Sequence, residues 1–254
     1  SFVEVHASSF DLNRCDNCNG GTLYADGGSV HLVGTAVLNS SAVQGGAMYV
    51  RSSTVQLQST QVRGSNATLR GGGLALIGST LNISDASVLE GNRAAVRGGA
   101  LDLVETVTGI VDSDVSSNVA ATGGAVASLT SAIEVRSSAV AQNAASADGG
   151  AFNMLEGSLL LQAVESSGNE ASNDGGFLHA TEVVNVWRDS SLANNTARPS
   201  HHTTPHVTHR AARQLSRLPF PLIAHLLRSA LQARYGGASY IDRSSIAVEG
   251  VTMS

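Results

Sequence analysis

The 254-residue chain contains no lysine and only two cysteines. The first absence removes any lysine able to take a proton from a substrate. The second excludes a framework of several disulfides. Aromatic residues make up only 4%, so small aliphatic side chains must fill most of any core. No run of 18 apolar residues occurs, which excludes a membrane-spanning helix from this sequence. Proline is missing from all but one stretch: its four copies lie between positions 199 and 234.

What is abundant is glycine, and it is periodic. Phased Gly-Gly pairs begin at Gly20, Gly45, Gly72, Gly98, Gly123, Gly149 and Gly175, and the next begins at Gly236. A step of about 25–26 residues is the mark of a solenoid, in which each repeat stacks on the last. Counting the first Gly as zero, apolar residues recur two apart at +3 and +5, as in Leu23 and Ala25, Met48 and Val50, Ala75 and Ile77, Leu101 and Leu103, Phe152 and Met154. That alternation is one inward face of a strand. The intervening +4 column (Tyr24, Tyr49, Leu76, Asp102, Ala127, Asn153, His179, Tyr240) is mixed and reads as a solvated outward face.

A second inward pair stands near +10 and +12, as in Val30 and Leu32, Ile133 and Val135, with a slip by one at Leu81 and Ile83 and at Val184 and Val186. A third inward site near +17 holds Val37, Val62, Val115, Val140 and Leu192. Three short strands per coil, separated by sharp turns, predict an all-β, right-handed parallel β-helix of about 25–26 residues per coil and roughly nine coils.

At +20 the chain sets Asn92, Asn118, Asn143, Asn169 and Asn195 in five successive coils, each with Ala two residues later. Asparagine tolerates the left-handed turn backbone, and its amide can bond its counterpart in the next coil as a structural ladder.

Gly-Gly-Ala at Gly45, Gly98, Gly123, Gly149 and Gly236 alternates with [Leu/Val]-x-x-Asn, and Phe10-Asp11-Leu12-Asn13 gives Phe-x-x-Asn itself. These motifs resemble the GGA[ILV] and FxxN repeats of polymorphic outer membrane proteins, and the wider set of β-helices with the pectin-lyase-like fold. The resemblance covers residues 1–197 and 235–254. It implies a surface-exposed, adhesin-like scaffold, extracellular or on the cell surface, that binds a protein or polysaccharide on its lateral faces. Phe is replaced by Leu or Val in most coils, a departure from the pattern.

Between the β-helix coils (1–198) and their resumption (235–254), residues 199–234 break every rule of the repeat. They hold five of the eight histidines and no Gly, Asn, Asp or Glu, and they carry +5 against −10 for the rest. Without them the final step of 61 becomes 25. Either this is an inserted loop followed by a helix beginning near Pro221, or it is a spurious segment never selected as protein. His201, His202, His206 and His209 cluster there, and imidazole is a common metal ligand. With Phe220 its only aromatic, the insert gives no ground for a nucleic-acid partner. Strand-like patterns at both ends (Phe2, Val3, Val5; Ile246, Val248, Val251) predict a piece of a longer solenoid.

No residue set stands out as catalytic, and no cofactor is implied. The alternative function is a polysaccharide-active enzyme, a lyase or a glycoside hydrolase, which requires converging carboxylates. Glu105, Glu156 and Glu182 share the +7 column, and Glu156 and Glu182 in adjacent coils are the weak candidates for calcium. Asp148 and Asp174 precede their Gly pairs, Asp112 and Asp114 lie two apart, and Arg136 and Arg188 have no motif partner. The plainer reading of the +7 glutamates is a solvated turn that carries acidic residues for solubility. Cys15-Asp-Asn-Cys18 fits a local disulfide, half a zinc site, or two free thiols, the last being the plainest. Asn39, Asn66, Asn82 and Asn194 begin N-x-[Ser/Thr] sequons, possible glycan sites in a chain secreted by a eukaryote.

Overall fold

A computed structural model describes residues 1–198 and 239–253. Every regular element among them is a strand, and every strand pair is parallel. The strands form three sheets of twelve, nine and seven strands. The nine-stranded sheet takes one strand per coil, so eight turns separate its ends. The protein is a parallel β-solenoid, as the period predicts.

The register places equivalent residues directly over one another. Leu101 pairs with Val126, Val126 with Phe152, Phe152 with Leu178, and Leu178 with Ser239. Strand Ser239–Asp242 thus lies beside Leu178–Arg188, although some sixty residues separate them in the chain. The insertion, its helix and its histidine cluster fall outside the described residues.

Instead of two short strands, the first sheet uses one eleven-residue strand in several coils, for example Leu23–Val33, Val126–Arg136 and Phe152–Gln162. A left-handed residue at +7 bends it: Ser52, Thr130, Glu156 and Glu182 have φ between 46° and 60°. The second sheet takes three-residue strands such as Ala139–Ala141, and the third two-residue strands such as Ala144–Ala145.

Two offsets differ from the sequence reading. In the third coil the left-handed glycine equivalent to Gly45 is Gly71 (φ 63°), not Gly72. Leu74 and Leu76 therefore point inward, in register with Met48 and Val50, and Ala75 takes the outward place. Leu81 and Ile83 then fall at +10 and +12 with no slip. The extra residue appears one corner later, where Asp85 and Ala86 are both left-handed. In the seventh coil Asn185 and Trp187 face inward, aligned with Leu159 and Leu161, and Val184 is 55% exposed. Trp187 fits because Phe177 meets it edge-on at 5.9 Å, and Phe152 meets Phe177 at 5.4 Å.

In most coils three corners share one device, a left-handed residue and then an inward polar side chain that receives a backbone N–H from the preceding coil; Gly28, Gly157 and Val183 at the first corner and Val164 at the second are exceptions. At the first, Ser53 N donates to Ser79 Oγ (3.2 Å) and Thr106 N to Ser131 Oγ (3.1 Å). At the second, Thr60 N donates to Ser87 Oγ (2.9 Å) and Ser113 N to Ser138 Oγ (3.1 Å). At the third stand the five asparagines, all buried. Asn118 and Asn143 show the pattern. Asn143 Oδ1 accepts from both the backbone N and the Nδ2 of Asn118, at 3.0 Å each. Asn143 Nδ2 donates to Asn169 Oδ1 and Val115 O, also at 3.0 Å. The left-handed residue is the one before each asparagine (Gly91, Ser117, Gln142, Gly168, Asn194), not the asparagine itself. The amide is there to stack and bond, and its neighbour makes the turn.

The fourth corner is the glycine pair. Gly123 is left-handed (φ 60°), and a Cβ on Gly124 would lie 2.2 Å from Gly150 O in the next coil. Only hydrogen fits there. Near the first coil, Cys15 and Cys18 form a disulfide, not the two free thiols expected.

Candidate functional site

The glycine corner turns so tightly that residues just before it fold over the strand just after it. Arg70, Arg97 and Thr122 stack coil on coil in that preceding row, linked by isolated parallel bridges. Their row runs beside the +4 column, so two lines of side chains form a lateral shelf. The expectation of a solvated face fails here: Tyr49, Ala75, Asp102 and Ala127 are all buried.

The shelf changes chemistry along its length. At its N-terminal end Tyr24 stacks on Tyr49, with ring centroids 5.5 Å apart and planes 18° apart. Tyr24 is half exposed, and Arg51 lies nearby, 3.9 Å from Asp26. In the middle, Asp102 is almost fully buried between two arginines, Arg97 at 2.7 Å and Arg70 at 3.9 Å. Arg70 Nε also donates to Gln44 Oε1 at 2.9 Å. Burial raises the Asp102 pKa more than the charges of Arg97 and Arg70 lower it.

Toward the C-terminal end the shelf is acidic. Asp174 N donates to Asp148 Oδ1 at 3.3 Å, and Asn153 Nδ2 lies 3.2 Å from His179 Nδ1. His179 stacks flat on Tyr240 at 4.8 Å. Burial, then the charge of Asp148, raises the Asp174 pKa, while His179 pulls it down. Burial lowers the His179 pKa against the opposing pull of Asp148, Asp174 and Asp242. Asp148, Asp174 and His179 lie close enough to interact through their charges, a grouping of carboxyls and imidazole of the kind that acid–base chemistry uses.

The sequence singled out Asp148 and Asp174 but not Asp102, Asn153 or His179, which it left in the mixed outward column. The usable signal was an Asp at +4 flanked by Arg in the row before the glycines. Glu156 and Glu182 sit apart from the shelf on the +7 corner. Thr130 Oγ1 donates to Glu156 Oε2 at 3.1 Å, and Arg243 lies 3.4 Å from Glu182. Glu105 occupies the same corner. Asp112 is the left-handed residue of the second corner, with Asp114 two places on, and both border a shallow surface depression. Arg136 pairs with Glu134, and Arg188 lies 3.9 Å from Glu249. Among the described residues no three His, Cys, Asp or Glu side chains gather as a metal site, and no helix is long and apolar enough to cross a membrane.

Fold and site together define a parallel β-solenoid with an ordered lateral shelf. No known family, curated protein or solved structure matches the chain.

Proposed function

We propose that the protein is an extracellular or cell-surface scaffold, adhesin-like, that binds a polysaccharide or protein partner along this shelf. The observation that carries the reading is the Tyr24–Tyr49 stack. An exposed aromatic face beside Arg51 offers an apolar platform and a charge-assisted donor to one ligand. The Cys15–Cys18 disulfide supports the location, because such bonds persist in oxidising compartments. The likeness of the Gly-Gly-Ala and x-x-Asn repeats to polymorphic outer membrane proteins and the pectin-lyase-like fold points the same way. A glycan array probed with the wild type and with Tyr24→Ala tests it. Binding to at least one glycan class should weaken about tenfold in the variant, the loss of one aromatic contact. Equal binding by both proteins would overturn the assignment of the platform.

The second reading is a polysaccharide-active enzyme, favoured by the Asp148–Asp174–His179 group. Here Asp174 would serve as general acid. Cleavage of polygalacturonate by the wild type but not by Asp174→Asn would establish it in place of the scaffold.

A further inference from the structure

Of the fifteen asparagines six are buried, five are exposed and four lie between. The buried six are Asn92, Asn118, Asn143, Asn169, Asn185 and Asn195. None of these six has Ser or Thr two residues later. In the ladder that position is Ala, and its side chain packs into the third sheet, as Ala94, Ala120 and Ala145 show. The four asparagines that do begin a sequon, Asn39, Asn66, Asn82 and Asn194, are all exposed. The frame at 194–196 makes the division plain. Asn195 is the buried rung, and the sequon belongs to its left-handed neighbour Asn194, which points out.

Two of the four also face glycine in the next coil. Asn39 neighbours Gly64, where a Cβ would come within 2.6 Å of Asn39 Oδ1, and Asn82 pairs with Gly109, where it would come within 3.3 Å. A side chain at either glycine would crowd the asparagine amide. The bond from Asn39 Nδ2 to Asp11 Oδ1 survives substitution, because a glycosylated amide keeps one N–H.

We propose that Asn39, Asn66, Asn82 and Asn194 carry N-linked glycans, and that these leave the lateral shelf bare. Asn39 and Asn194 lie at the ladder corner, Asn66 opens a strand of the third sheet, and Asn82 lies in the second half of the first sheet. No sequon falls between +3 and +6, where Tyr24, Tyr49 and His179 stand. The glycans therefore cover the sides that the binding reading does not use. The proposal rests on that reading only for the secreted location.

The test is to secrete the whole chain from eukaryotic cells and map glycans by peptide mass spectrometry before and after N-glycosidase treatment. Glycan mass should appear at each of the four asparagines, and each Asn→Gln variant should remove one glycan while remaining secreted. The fourfold variant should be insensitive to the enzyme. Secreted wild type with none of the four sites occupied would overturn the proposal. So would enzyme-sensitive mass that persists in the fourfold variant. This readout does not involve the shelf, so a failed glycan-array experiment would leave it standing, and the reverse also holds.

Discussion

The asparagine corner and the lateral shelf are both columns of stacked side chains, yet they obey opposite rules. At the corner the same residue recurs for five coils, because each amide both completes the rung before it and depends on the rung after it. On the shelf the sequence runs Tyr, Tyr, Ala, Asp, Ala, Asn, His, Tyr, although half of those side chains are as deeply buried as the core. The polar and aromatic shelf residues find their partners in the row before the glycines, or in one adjacent rung, so each can change without breaking a chain of bonds. The coil interior is constrained by repetition. The shelf is constrained only by its own local pairs, and there chemistry can vary.

The largest effect is expected at the corner. Asn143→Ala would remove the acceptor for two donors of Asn118 and the donor for Val115 O, all in the buried interior. Leaving such groups unpaired costs about 1–3 kcal/mol each, so we expect a loss of about 3 kcal/mol or more by chemical denaturation. Hydrogen exchange should quicken first in the coils on either side, since solenoid stability is a sum of neighbour terms. A loss below about 0.5 kcal/mol, well under the cost of one unpaired buried group, would mean that the ladder is ornamental. Ser138→Ala sharpens the contrast. The Ser113 N–H loses its partner, while Arg136 O loses the Ser138 hydroxyl but keeps the Asp112 N–H, and the hydroxyl column already tolerates Val164 one coil further on. We expect about 1 kcal/mol there, and a value equal to that of Asn143→Ala would erase the distinction between the two corners.

How far these rules can be read from sequence follows from what each depends on. The period is legible because a glycine with no room for Cβ must be glycine in every coil. The triple Gly71-Gly72-Gly73 defeats the count by one, since three glycines in a row hide which one is left-handed. At Val184–Trp187 both alternations contain apolar residues, and a preference for them selects the wrong face. Asn185 is tolerable inside because its amide reaches Val183 O and Ser245 O at 3.3 Å, a contact made with a strand some sixty residues away. The shelf was least legible of all. Its pairs join residues from five apart, as in Arg97–Asp102, to sixty-one apart, as in His179–Tyr240, across a turn whose tightness shows only in three dimensions.

The smallest effect should come from the shelf, and it should depend on pH. Burial holds the His179 pKa below 6.5, its ordinary value in the unfolded chain, despite three nearby aspartates. Between pH 6.5 and the lower folded value, the unfolded state therefore binds the proton more tightly, and stability falls as the solution is acidified through that window. Above pH 6.5 both states are neutral at this site and the contribution is constant. The Asp174 carboxyl, raised by burial, acts in the opposite sense at lower pH: it takes up its proton more readily when folded and so regains stability as pH drops toward 3.8. His179→Gln removes the first titration and keeps an amide within reach of Asn153. The variant should be slightly less stable than wild type above pH 6.5, having lost the stack on Tyr240, and should close that gap as the pH falls. Denaturation curves taken at half-unit steps would show the convergence. Two parallel curves would mean that His179 titrates as if it were in water, and that the shelf around it is open, not half-buried.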